Sequence, residues 1–237
     1  MNKPFKRKDI ANVIDYSLLT PNATYKDIEN LCKEAIKYNF HSVCINPYFV
    51  QMAKELLRRS GLKVTTVIGY PLGMNTTEVK VYEAMNASLN GADELDIVIN
   101  IGALKSGDLE TVRKDISDII SATPEKVHKI IIETCYLDNE EKKKAVEIAL
   151  EAGSEFIKTS TGFGPQGAMI KDIKLIKDIV GDSAGIKASG GIRTLRETLK
   201  MIEAGATRIG TSAAVKILTE IKEGETIERR KDFKRKD

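Results

Sequence analysis

A (β/α)8 barrel, an α/β fold, is what this sequence predicts, and three observations carry it. Eight short segments rich in Val and Ile alternate with stretches of helical period. No linker or shift in composition divides them. The chain has 237 residues, close to the ~250 such a barrel uses. Residues 1–224 are assigned to the barrel with a short N-terminal extension, and 225–237 to a charged, flexible tail. A doubly wound open sheet is the alternative; against it, no Gly-x-Gly-x-x-Gly follows the first strand.

In chain order, the first strand is 13–18, followed by a helix in which Ile28, Leu31, Cys32 and Ala35 share a face. Strands at 42–46 and 64–69 come next. A helix then stops at Asn90-Gly91-Ala92, where glycine supplies the usual left-handed ending. Strands 95–100 and 129–134 follow, then a helix over 140–152 stopped by Gly153. Strand 155–160, helix 170–180, strand 185–189, a helix stopped by Gly205 and strand 208–212 complete the count. Unbroken apolar runs bounded by Gly, Pro or polar residues are the pattern of parallel strands buried on both faces.

Composition narrows the function. Hydrophobic residues make up 42% and charged residues 30%, enough for both a core and a solvated surface. No apolar run approaches the ~20 residues that span a bilayer. The charged N-terminus has no apolar stretch behind it, unlike a secretory signal, so a cytoplasmic protein without a membrane partner is expected. Cys32, Cys44 and Cys135 lack metal-ligand spacing, and the two histidines are His41 and His128; neither a metal, a cofactor nor a disulfide is expected. A net charge of +3 is too small to call for nucleic acid, and the basic tail reads as a solvated terminus.

The chemistry begins with lysines in apolar strands. Phe156-Ile157-Lys158-Thr159-Ser160-Thr161-Gly162 and Gly185-Ile186-Lys187-Ala188-Ser189-Gly190-Gly191 each bury a lysine among Ile and small residues. Lysine is almost never fully buried without a partner or a purpose. Strand alternation turns Ile157 and Ile186 outward and Lys158 and Lys187 inward. It likewise turns Leu95, Ile97 and Ile99 outward and Asp96, Val98 and Asn100 inward. A cation at Lys187 and burial both oppose protonation of Lys158, whose ordinary pKa of ~10.4 must fall by ~3 to expose a useful fraction of amine at neutral pH. A free amine adds to a carbonyl to give an imine, and Asp96 is placed to move protons.

The loops after the seventh and eighth strands predict a phosphate site. Gly190 and Gly191 permit close backbone approach, Gly210 and Ser212 lie in the matching loop, Gly162 ends the sixth strand similarly, and Thr194 caps the helix that follows. Cys44 is expected as a small buried residue bordering the pocket, and Asn46 and Asn100 as orienters. Glu133 is expected as an inward hydrogen-bonding partner or a simple strand-end carboxylate.

These residues resemble the deoxyribose-phosphate aldolase family. The likeness rests on Ile14-Asp15-Tyr16-Ser17-Leu18-Leu19, Val43-Cys44-Ile45-Asn46-Pro47, Val67-Ile68-Gly69-Tyr70-Pro71-Leu72-Gly73, Gly91-Ala92-Asp93-Glu94-Leu95-Asp96, Ile131-Ile132-Glu133-Thr134 and the two lysine motifs. It implies Lys158 as the Schiff-base residue, Lys187 as the lysine that tunes and assists it, and Asp96 as proton donor and acceptor. The implied reaction is reversible cleavage of 2-deoxy-D-ribose 5-phosphate to D-glyceraldehyde 3-phosphate and acetaldehyde in deoxyribose phosphate catabolism. The partners are then a sugar phosphate and an aldehyde, and a homodimer is what the family implies. Asp15 is singled out by the resemblance alone.

Several positions depart from the family pattern. Tyr16 stands where His is common, Phe163 where some members have Lys, and Ala213 where some have a second Ser; no tyrosine ends the tail. An aldolase or transaldolase of another sugar phosphate, and a non-catalytic sugar-phosphate binder, are the competing readings.

Overall fold

The computed structural model describes residues 4–222 and 226–227. A two-residue strand, β1 (Phe5–Lys6), precedes the barrel. Eight strands follow: β2 (Ile14–Leu18), β3 (Ser42–Ile45), β4 (Lys63–Ile68), β5 (Glu94–Val98), β6 (Val127–Ile131), β7 (Phe156–Lys158), β8 (Gly185–Ser189) and β9 (Arg208–Thr211). They pair in parallel in sequence order, and β2 joins β9 through Ile14↔Ile209 and Asp15↔Gly210. That closure decides for the barrel over the open sheet.

All eight predicted strands are present, several with ends displaced by one to three residues. Thr159 and Ser160 lie beyond β7. Glu133 adopts a left-handed backbone with φ 48, ending the strand direction before a short turn of helix at Thr134–Tyr136. Of the predicted tail, Thr226–Ile227 forms β10 and pairs antiparallel with β1; the charged segment 228–237 lies outside the described residues.

The helices are α1 (Arg7–Ala11), α2 (Tyr25–Tyr38), α3 (Val50–Leu57), α4 (Thr77–Leu89), α5 (Ile101–Lys105) and α6 (Leu109–Ala122). Then come α7 (Asn139–Glu151), α8 (Ile170–Val180), α9 (Leu195–Ala204) and α10 (Ala214–Thr219). Their starts are chemically marked. Thr24, Asp138 and Thr194 each accept from the backbone N–H three residues on, and an acidic side chain returns the bond, satisfying two otherwise orphaned donors per helix. None of the described helices is long and apolar enough to cross a membrane.

The apolar core lies between strands and helices. Ile45, Leu95, Ile97, Ile130, Ile157, Ile186 and Ile209 belong to it, each side chain contributing ~1.5–3 kcal/mol relative to exposure. The inside of the barrel differs in kind. Where Val, Ile and Leu ordinarily fill it, the buried inward positions include Asp15, Ser42, Thr65, Glu94, Asp96, Lys129, Lys158, Lys187 and Arg208. Two more buried pairs tie the outer layer. Lys80 of α4 reaches Asp115 of α6 at 2.5 Å and the Val98 carbonyl at 2.9 Å; Lys142 of α7 reaches Asp172 of α8 at 2.8 Å.

Candidate active site

Strand alternation delivers the three predicted residues to one point. Lys158 Nζ of β7 donates to Asp96 Oδ2 of β5 at 2.8 Å, and Lys187 Nζ of β8 donates to the same oxygen at 2.7 Å. Lys187 also meets Asp15 Oδ2 at 2.5 Å. It is therefore not a bare cation beside Lys158, as the sequence argument had it: two carboxylates share its charge. Burial alone would push Lys187 down, but Asp15 and Asp96 outweigh it and hold the ammonium above the usual lysine range.

Three residues given no role at the sequence level, Glu94, Lys129 and Arg208, complete the cluster. Lys129 Nζ lies 2.9 Å from Asp96 Oδ1 and 2.6 Å from Glu94 Oε2. Arg208 Nη1 lies 2.9 Å from Asp15 Oδ1 and 3.0 Å from Glu94 Oε2. Ser42 Oγ donates to Asp15 at 2.7 Å and Thr65 Oγ1 to Glu94 at 3.0 Å. A signal for these residues existed. Glu94 and Asp96 differ by one alternation, as do Lys129 and Ile131, and Arg208 and Gly210, so the rule that turned Asp96 inward applied equally to them.

Three buried carboxylates thus face four buried cations. For Asp96, burial would raise the pKa, but Lys129, Lys158 and Lys187 together hold it well below the carboxylate range. Asp15 follows the same balance, burial opposed by Lys187, Arg208 and Lys129, and settles at about 2. With the carboxylates ionised the cluster carries one positive charge in excess, and loss of one ammonium proton neutralises it. Of the four cations, Lys158 lines the cavity above.

That cavity, of about 390 Å³, opens at the C-terminal ends of the strands. Lys158 lines it together with all five predicted phosphate residues, Gly162, Gly190, Gly191, Gly210 and Ser212. Gly190 and Gly191 have φ of 88 and 77, in the left-handed region that favours glycine. A Cβ at Gly190 would also come 2.9 Å from Gly167 Cα. Gly210 lies close to its neighbours: a Cβ there would stand 2.9 Å from Ser189 Cβ and 3.0 Å from Lys187 Cε. Thr194 caps α9 as expected, accepting from Glu197 N at 3.2 Å. Arg193, absent from the predicted set, also lines the cavity.

The remaining expectations sort by direction. Tyr16 faces the helix layer, donating to Glu34 Oε2 at 2.7 Å and packing edge-on to Phe40, so that departure does not reach the cavity. Phe163 does line it, and meets the Tyr70 ring edge-to-face at 5.6 Å. Ala213 turns its N–H to Thr211 Oγ1 at 2.9 Å. Cys44 is buried with Sγ 3.9 Å from Asp96, and desolvation pushes its thiol up. Glu133 is an inward partner, accepting from the Thr161 N–H at 3.1 Å and from the Thr161 hydroxyl. Asn100 caps α5 through the Ala103 N–H at 3.0 Å.

A closed eightfold barrel with a compensated ionic interior and one lysine lining a C-terminal cavity defines the class, a barrel enzyme built around a buried amine. The family follows from comparison: the chain belongs to the DeoC/LacD family of aldolases, whose model matches residues 7–220. It is 56% identical over 220 residues to the deoxyribose-phosphate aldolase of Carboxydothermus hydrogenoformans, covering 91% of this chain and 96% of that one. It is also 56% identical to the deoxyribose-phosphate aldolase of Thermococcus gammatolerans, covering 89% and 95%. Among solved structures, the tetrameric deoxyribose phosphate aldolase of Aeropyrum pernix aligns with a TM-score of 0.85 at 35% identity, covering 91% of this chain and 92% of that one.

Proposed function

We propose that this aldolase reversibly cleaves 2-deoxy-D-ribose 5-phosphate to D-glyceraldehyde 3-phosphate and acetaldehyde through a Schiff base on Lys158, within deoxyribose phosphate catabolism in the cytoplasm. The observation that carries this reading is the position of Lys158: it lines the cavity, and its Nζ sits on Asp96 in a cluster with one excess cation. The names of the relatives support the substrate.

In this reading the Lys158 amine adds to the C1 aldehyde of the open-chain sugar to form a carbinolamine, which loses water to give a protonated imine. A base takes the C3 hydroxyl proton, and the electron pair of the C2–C3 bond moves into the imine as an enamine. Glyceraldehyde 3-phosphate leaves. Protonation at C2 and hydrolysis then release acetaldehyde and restore the amine. Asp96 is the nearest group to hold and return these protons, with Lys187 as its charged partner. The sugar's phosphate would rest on the backbone of Gly162, Gly190, Gly191 and Gly210 and on Ser212, where consecutive N–H groups bind anions.

The test is reduction with cyanoborohydride in the presence of acetaldehyde, followed by peptide mass analysis. The expected product is an ethyl group on Lys158, abolished in Lys158→Met. Label on Lys187 alone overturns the assignment. Turnover of fructose 1,6-bisphosphate in preference to deoxyribose 5-phosphate overturns the substrate. A homodimer belongs to the same reading, supported by the exposed apolar side chains Val79, Tyr82, Met85 and Leu89 along α4. Sedimentation of a monomer at micromolar concentration would remove it.

A further inference from the structure

A column of polar contacts descends from the reacting amine to the opposite mouth of the barrel. Lys158 Nζ meets Asp96 Oδ2 at 2.8 Å, and Asp96 Oδ1 meets Lys129 Nζ at 2.9 Å. Lys129 Nζ meets Glu94 Oε2 at 2.6 Å, and Glu94 Oε1 meets His41 Nε2 at 3.0 Å. His41 directly precedes β3, at the N-terminal end of the strands, and its side chain is 28% exposed while every other member is buried. The column therefore ends in a titratable group that water can reach from the side of the barrel away from the cavity.

We infer that His41 is a positioning residue whose charge, passed down this column, sets how readily Lys158 gives up its proton. The inference rests on the proposed amine chemistry. No proton need travel the column. A proton on His41 binds Glu94 more strongly and adds a fifth cation to a cluster already in positive excess. Lys129 then leans on Asp96, and the ammonium at Lys158 is the cation the cluster can discharge into the cavity. Free amine, and with it imine formation, increases when His41 is charged.

The surroundings of His41 favour this coupling. Glu94 of β5 and Asp15 of β2 flank it, with one ligand atom of each of the three within 4.8 Å of the others. Arg208 of β9 bridges the two carboxylates at 2.9 and 3.0 Å, and Lys129 of β6 lies beyond Glu94. From β4, the Lys63 N–H donates to the His41 carbonyl at 3.1 Å. The three acidic and imidazole groups do not call for a metal, because the Arg208 guanidinium already occupies the place between the carboxylates. The column between His41 and Lys158 is buried, so a charge on the imidazole acts along it with little screening.

The experiment compares the parent with His41→Gln and His41→Lys, neutral and permanently charged respectively, by kcat/KM for deoxyribose 5-phosphate cleavage between about pH 5 and 8. At each pH the His41→Lys enzyme should exceed His41→Gln by about ten- to seventeenfold, the effect of a unit charge some 10–12 Å away at an effective dielectric near 20. The parent should follow His41→Lys at the acid end and His41→Gln at the alkaline end. Superimposable profiles of parent and His41→Gln overturn the inference, and that comparison decides even if His41→Lys does not fold. A parent that forms no cyanoborohydride adduct on Lys158 instead defeats the proposed function, so the two failures are distinguishable.

Discussion

Replacing Lys129 by Met removes one charge from the barrel interior while keeping the stem that fills it. Lys129 is fully buried and binds Glu94 and Asp96 directly. Stripping one partner from a buried ion pair costs ~3–5 kcal/mol. Here each carboxylate keeps other cations: Asp96 retains Lys158 and Lys187, and Glu94 retains Arg208. The lower end, about 3 kcal/mol, is therefore expected, which lowers the melting temperature of a chain this size by about 6–12 °C. The chemistry changes in a linked way. The cluster passes from one excess positive charge to neutrality, so discharging Lys158 no longer relieves it. Two unit charges roughly 6 Å apart at an effective dielectric of about 20 interact by roughly 3 kcal/mol, so adduct formation at neutral pH should slow by about ten- to a hundredfold. Calorimetry and timed trapping with acetaldehyde and cyanoborohydride read the two effects. A variant that melts with the parent and traps at the parent's rate would refute the reasoning that excess charge in the cluster activates the amine.

Three other outcomes follow from the geometry. Gly190→Ala places a side chain at φ 88 and a Cβ 2.9 Å from Gly167 Cα; a cost of ~1–3 kcal/mol is expected, with KM for the phosphorylated sugar rising more than acetaldehyde trapping falls. Lys80→Met strands Asp115 and should cost ~3–5 kcal/mol in urea denaturation, whereas Lys80→Met with Asp115→Leu should recover most of the loss. Acid stability should fail steeply. Asp15 sits at about 2 in the fold against 3.8 ordinarily, so it contributes about 2 kcal/mol above pH ~4 that disappears as pH falls through its folded value. Glu94 and Asp96 are held low by the same cations and act in the same direction. Unfolding followed by circular dichroism should therefore concentrate between about pH 4 and 2; a flat baseline there would contradict the ion-pair account.

The strands were legible because parallel, doubly buried strands leave uninterrupted Val and Ile runs, and Lys158, Lys187 and Asp96 were legible because a charge inside such a run is conspicuous. Glu94, Lys129 and Arg208 escaped notice because each stands at the edge of its apolar run, where a charged residue reads as an ordinary boundary. Alternation turns them inward, and the closure of the barrel, joining Asp15 to Gly210 across β2 and β9, brings them to a common axis. Tyr16 was the reverse case. Its neighbours Asp15 and Ser17 alternate with it, and the parity that turns Asp15 inward sends Tyr16 to Glu34. The pairing of Lys187 with two carboxylates was beyond reach, since it depends on distances between strands far apart in the chain.

The interior charges are divided along the chain in an uneven way. Asp15, Glu94 and Asp96 come from β2 and β5, while Lys129, Lys158, Lys187 and Arg208 come from β6 through β9. Of these seven residues the first half of the barrel thus contributes only acids, and the second half only bases. Neither half can close on itself or on another copy of itself without burying like charges together, whereas each half finds its counterions in the other. The cluster that surrounds the amine therefore also acts as a lock and key within one chain, rewarding the complete eight-strand ring and penalising half-barrels and their like-with-like pairings.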